Sequence, residues 1–234
     1  NNRWGNFGGV SAGYTISNES FFQELSLANS MSELRLKGSW GRVGNGNLNN
    51  FYGAYTLYAT GLHGTVPRNW YSQAGNPELQ WETSTQLNIG LDAGFFNNRL
   101  TLEANYYNKD IDNMILAVPQ SPSKGIPTNE ILLNVGSMYN RGFEFALNAT
   151  PIQKENFAWT TSLNFSTRKN QVTSLVGDNS PLLAFTSGLE LTNITQVGLP
   201  AANIYGVRSL GVNPENGRRI FEDLQGRQIQ YQHF

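Results

Sequence analysis

The 234-residue sequence has no cysteine and two histidines, and charged residues make up 14% of it against about 25% in ordinary globular proteins. Lack of cysteine removes disulfides, thiolate metal sites and thiol nucleophiles together, and leaves cytoplasm, periplasm and outer membrane all open as compartments. His63 and His233 stand in no metal-ligand spacing, so no metal site, cofactor or catalytic residue is expected and an enzyme is disfavoured. No window approaches the roughly 18 to 20 uninterrupted apolar residues of a spanning helix. The net charge of -1 offers no footprint for nucleic acid. What fills the chain instead is 29 Asn, 24 Gly and 12% aromatics. So many aromatics argue against wholesale disorder. The chain opens on Asn1-Asn2-Arg3-Trp4 without Met or a signal segment, and so reads as processed or as a piece of something longer.

Six segments alternate apolar and polar residues with the period of a strand. Val10, Ala12, Tyr14 and Ile16 form the first apolar face, and Leu34, Leu36 and Trp40 the second. Leu87, Ile89, Leu91, Ala93 and Phe95 form the third, and Leu100, Leu102, Ala104 and Tyr106 the fourth. Phe143, Phe145, Leu147 and Ala149 form the fifth, and Trp159, Thr161, Leu163 and Phe165 the sixth. The opposite parity carries mostly Asn, Ser, Thr and Gly. A soluble sheet usually shows many Lys and Glu there.

The connections alternate in length. Residues 96–99 and 150–156 are short, with Asn97 and Asn98 suited to left-handed turn angles. Residues 17–33 form a middling connection with room for one or two helical turns, and 42–84, 110–140 and 169–200 read as long loops. Short turns at one end and long loops at the other match an outer-membrane barrel, with both chain ends on the loop side. Tyr14, Trp40, Trp81, Phe95, Tyr106 and Trp159, near strand ends, suit an interfacial aromatic belt. A surface-displayed or secreted β-sandwich that binds carbohydrate or peptide shares the period, and is the rival reading.

Leu36-Lys37-Gly38-Ser39-Trp40-Gly41-Arg42-Val43-Gly44-Asn45 resembles a stretch of the SusC/RagA family of TonB-dependent outer-membrane transporters. So do Asn76-Pro77-Glu78-Leu79-Gln80-Trp81-Glu82-Thr83 and, further on, Asn134-Val135-Gly136-Ser137 with Asn140-Arg141-Gly142-Phe143-Glu144-Phe145. The matches recur in order over nearly the whole chain. The resemblance implies an all-β, antiparallel transmembrane barrel of about 22 strands around a plug. It also implies a SusD-like surface lipoprotein as lid, coupling to the TonB complex through the plug, and import of oligosaccharides or oligopeptides. Six or seven strands cannot close such a barrel, so residues 1–234 are expected to be a partial barrel domain from its C-terminal half, with Phe234 a cut rather than a natural end. Where the family carries an acidic turn, this chain has Asp223-Leu224-Gln225-Gly226-Arg227. Arg227 replaces a carboxylate that Ca²⁺ would need.

Three groups of residues carry the expected function. Arg35, Lys37, Asp92, Glu103, Lys109, Glu144 and Arg168 are expected to face a watery lumen, as ion networks with the plug or neighbouring strands or along the cargo path. Tyr14, Trp40, Leu87, Ile89, Leu91, Leu102, Tyr106, Phe143, Phe145, Trp159, Leu163 and Phe165 are expected to face outer-membrane lipid or its interface. Tyr52, Tyr55, Tyr58, Trp70 and Tyr71, in the first long loop, are candidates for touching cargo or lid, with packing inside the loop as the plainer alternative.

Overall fold

The computed structural model describes residues 4–47, 52–175, 177–185, 191–223 and 225–230. All six alternating segments become strands of one antiparallel sheet: β1 (Gly8–Thr15), β2 (Met31–Asn45), β5 (Glu82–Phe95), β6 (Leu100–Pro119), β7 (Glu130–Lys154) and β8 (Phe157–Ser174), in that spatial order. Between β2 and β5 the chain folds out a separate hairpin, β3 (Leu57–His63) with β4 (Val66–Gln73). Beyond β8 come two small sheets, one of β9 (Leu182–Phe185), β10 (Leu191–Thr195) and β11 (Asn203–Ile204), the other of β12 (Ser209–Val212), β13 (Arg219–Glu222) and β14 (Gln228–Gln230). Asn1, Asn2, Arg3, Leu224, His233 and Phe234 lie outside the described residues.

The turn end of the sheet is tightly built. Phe96, Asn97 and Asn98 all take left-handed backbone angles (φ 53°, 56° and 61°) to reverse the chain between β5 and β6, a conformation asparagine tolerates better than most residues. The middling β1–β2 connection lies at this same end, where the Phe96 amide donates to the Ser30 carbonyl at 2.8 Å. It contains one short α-helix, α1 (Ser20–Gln23), which buries Phe22, between 3-10 turns at Ile16–Asn18 and Ser26–Asn29.

The loop end differs from the expectation. Residues 110–140, read as a loop, are mostly strand: β6 continues to Pro119 and β7 begins at Glu130. A bulge around Asn113 (φ 56°) shifts the register there and breaks the alternation. Trp81 also leaves its expected place. It precedes β5, with its ring edge-on to Phe7 at 5.7 Å, about 20 Å along the strand from Leu87 and so beyond any belt at the end of the apolar face.

Register rows show how the faces are made. One row joins Tyr14, Leu36, Leu91, Ala104, Phe145 and Phe165; the next joins Ala12, Gly38, Ile89, Tyr106, Phe143 and Thr167. A third joins Leu34, Ala93, Leu102, Leu147 and Leu163. Among the described residues no second sheet or helix covers this apolar face. Ile89, Phe143, Leu163 and Phe165 stay 52%, 49%, 61% and 59% exposed. Full burial of such a side chain is worth about 1.5–3 kcal/mol. A handful of them half exposed to water would forfeit on the order of 6 kcal/mol, as much as the whole stability of many domains. The face therefore belongs against an apolar medium.

The band is oblique to the register rows. Val10, Trp40 and Leu87 share a row that continues as Asn108, Arg141 and Lys169, so the band's upper edge falls toward the turns on passing from β5 to β8. At its lower edge β7 and β8 run on past Ala149 to Ile152 and Trp159. Strands tilted by roughly 40° to a membrane normal produce this slope, because a plane parallel to the membrane cuts across successive rows.

Candidate functional site

The face opposite the apolar band holds all seven charged candidates. Arg35, Asp92 and Glu103 share one row, Lys37 and Glu144 the next, with Arg168 and then Lys109 following toward the loops. Three of them meet. Lys37 Nζ lies 2.8 Å from Asp92 Oδ1 and donates to Glu103 Oε1 at 2.6 Å, tying β2, β5 and β6 together, and Asn105 Nδ2 also donates to Glu103 Oε1. Gly90 makes this crossing possible: a Cβ there would sit 2.4 Å from both Lys37 Cε and Asn105 Oδ1. Arg35, although opposite Asp92 in register, lies over Gly13 instead.

Of the remaining charges, Arg35, Lys109 and Glu144 line hollows, and among the described residues none of the three has an ion-pair partner. Lys109 and Glu144 border one of about 400 Å³ with Gln86, Asn88, Asn105 and Tyr107. Arg35 and Lys37 border another of about 320 Å³ over Gly13, Gly38 and Gly90. Small residues beneath long polar ones give a cratered hydrophilic wall, suited to packing against a solvated element or passing a polar solute.

At the loop end the structure divides the five aromatic candidates. Tyr58 and Tyr71 are cross-strand partners on the hairpin, with ring centroids 5.8 Å apart. Trp70 projects from the other face, under the Arg68 guanidinium at 4.6 Å. Tyr52 and Tyr55 belong to a turn at the hairpin's foot, where Gln73 Nε2 donates to both of their carbonyls (2.8 and 3.1 Å). The hairpin itself carried a readable signal, since Gly64 (φ 65°) and Thr65 form a two-residue connection between β3 and β4.

A further cluster escaped sequence reasoning. Asn134 Nδ2 donates to the carbonyls of Gln80 and Asn113 (both 2.9 Å) while its Oδ1 accepts from the Gln80 amide at 2.8 Å. Asn76 Nδ2 donates to the Leu132 carbonyl at 3.0 Å. The motif around Asn76-Pro77-Glu78-Leu79-Gln80 and the one around Asn134-Val135-Gly136-Ser137 therefore meet in one hydrogen-bonded knot that roots the long loop on β7. Farther along, Arg227 Nε donates to Asp223 Oδ2 at 2.8 Å, so the guanidinium occupies the carboxylate a cation would have used.

A family model described as "TonB dependent receptor-like, beta-barrel" matches residues 1–208. The chain belongs to the TonB-dependent receptor family, in its β-barrel part. It is 31% identical to TonB-dependent receptor SusC of Bacteroides thetaiotaomicron, over 96% of this chain and 24% of that protein. It is 35% identical to TonB-dependent receptor P39 of Formosa agariphila, over 91% of this chain and 19% of that protein. A chain of the RagAB peptide importer in its open-open state superposes with a TM-score of 0.81 at 28% identity, over 97% of this chain and 24% of that one. The receptor segment thus spans about a quarter or less of these relatives' lengths. The SusC/RagA resemblance read from the motifs holds, and the sheet is a stretch of antiparallel outer-membrane barrel wall. The family is one of receptors rather than enzymes.

Proposed function

We propose that this segment forms part of the wall of a TonB-dependent importer in a Bacteroidota-type outer membrane, moving oligosaccharides or oligopeptides with a SusD-like lipoprotein as lid and the TonB complex as energy source. The observation that carries the reading is the single-layer sheet, apolar and uncovered on one face, polar and cratered on the other, with extended loops at one end only. In this reading the band meets lipid, and Arg35, Lys37, Asp92, Glu103, Lys109, Glu144 and Arg168 line a solvated lumen. Tyr58, Tyr71 and Trp70 stand on a hairpin above the membrane, where aromatic faces can stack on sugar rings or grip peptide side chains. The rival sandwich module needs a second sheet over the apolar face, and none covers it among the described residues.

Two measurements test this. Expression of the whole receptor should place it in the outer-membrane fraction and make its solubility depend on detergent; a segment that refolds in plain buffer as a cooperatively melting monomer overturns the barrel reading. A strain lacking the receptor should lose growth on defined oligosaccharides or on defined oligopeptides while keeping growth on their monomers. Unchanged growth on both removes the import role.

A further inference from the structure

Just above the apolar band, on its own face, two cations stand side by side. Arg141 on β7 and Lys169 on β8 are direct cross-strand partners, both exposed, and share the parity of Phe143, Phe145 and Phe165 rather than that of Glu144 and Arg168. Like charges directly opposite in a sheet oppose pairing. No carboxylate relieves them, since among the described residues neither side chain has an ion-pair partner. Asp110, the outward carboxylate two residues farther up β6, is opposite Tyr139 and accepts instead from Asn108 Nδ2 at 2.8 Å. Arg141 is nonetheless held, its guanidinium 4.5 Å from the centroid of the Tyr139 ring, while the Tyr139 hydroxyl donates to Gln171. Directly below runs an aromatic strip: Tyr106 against Phe143 at 5.0 Å, Phe143 against Phe145 at 6.3 Å and Phe145 against Phe165 at 6.4 Å.

We infer that Arg141 and Lys169 form a docking site for the phosphate-bearing headgroup of an outer-leaflet lipid, with the strip from Phe143 to Phe165 taking one of its acyl chains. The inference rests on the proposed membrane placement, loops outward. The missing counter-charge lies where a headgroup phosphate would sit, and guanidinium and ammonium groups together match it, one as a two-pronged donor and the other as a point charge. Continuity with an apolar surface selects an anion tethered to hydrocarbon over one free in water.

The test uses the intact receptor, delipidated in detergent, and native mass spectrometry with bis-phosphorylated lipid A and its dephosphorylated form as probes. The phosphorylated lipid should be retained at least tenfold more than the dephosphorylated one. Arg141→Gln with Lys169→Gln should abolish that preference, Lys169→Gln alone should reduce it, and Lys154→Gln, an equal charge loss at the turn end of β7, should leave it intact. Equal retention of the two lipids by the unaltered receptor overturns the inference, as does full retention by a double variant that still shows the gel mobility of the folded barrel. Competition by the acyl-free disaccharide phosphate as effective as that by the lipid removes the role of the strip. Failure of the membrane reading shows separately, as loss of detergent dependence, which neither substitution touches.

Discussion

Lys37 lies between Asp92 and Glu103, two carboxylates that face each other directly across the β5–β6 pair. Without the ammonium the sheet would place like charges opposite each other. The three side chains are partly open to solvent (34%, 27% and 49% exposed), so the effect is modest. Lys37→Met is expected to lower stability by about 1 kcal/mol, read as a lower urea midpoint of the receptor in vesicles. Adding Glu103→Gln should restore most of the loss, and a double variant weaker than the single one would show that repulsion is not the cause.

The two faces should differ sharply in their tolerance of charge. Phe165→Arg puts a cation in the middle of the apolar band and is expected to cost about 2–4 kcal/mol in a bilayer, whereas Asn164→Arg, one residue away on the polar face, should change stability by less than about 1 kcal/mol. Folding titrations in lipid vesicles separate the two. Equal costs would mean that the face assignment is wrong.

Asn134 carries three hydrogen bonds to backbone groups of the loop root and the β6 bulge. Asn134→Ala leaves those groups unpaired and should cost about 1–3 kcal/mol locally. The expected readout is faster proteolysis and amide exchange at residues 76–81 with the barrel's own gel mobility unchanged. Unaltered protection of that segment would show that the knot is not what holds it.

Asp223 organises the turn between β13 and β14. Its carboxylate accepts from the Arg227 amide at 2.8 Å, from the Gln225 amide at 2.9 Å and from the Arg227 guanidinium. The Arg227 amide bond above all holds its pKa below the ordinary carboxylate value. A depressed carboxylate contributes stability that is present above its unfolded pKa and fades as pH falls through the lower folded value. The Arg227 amide resonance should therefore stay constant through the usual carboxylate range and shift only below it. A shift already complete within that range would show that the carboxylate bonds contribute nothing to the turn.

The six strands were legible because each carries one consistently apolar parity, and a medium that rewards only one face preserves that alternation. Above the band both faces of β6 and β7 meet water or loops. Asn108, Asp110 and Asp112 then replace the outward apolar residues, the bulge at Asn113 shifts the register, and the pattern no longer distinguishes strand from loop. The polar face was legible as a set, since parity alone assigns Lys37, Asp92 and Glu103 to it. Their junction was not, because it depends on register between β2, β5 and β6 and on the missing side chain at Gly90. The bond between Gln80 and Asn134 spans 54 residues of sequence and leaves no local trace at either end.

The knot at Asn76, Gln80 and Asn134 and the Gln73 clamp on the turn at Tyr52 and Tyr55 fasten the foot of the β3–β4 hairpin through backbone groups. A projection secured at its base by main-chain bonds is an interchangeable part. The part beyond that foot, out to the turn at Gly64 and Thr65, can be rewritten by substitution or graft while the staves beneath keep their alignment, so that the outer surface can change without the barrel being refolded.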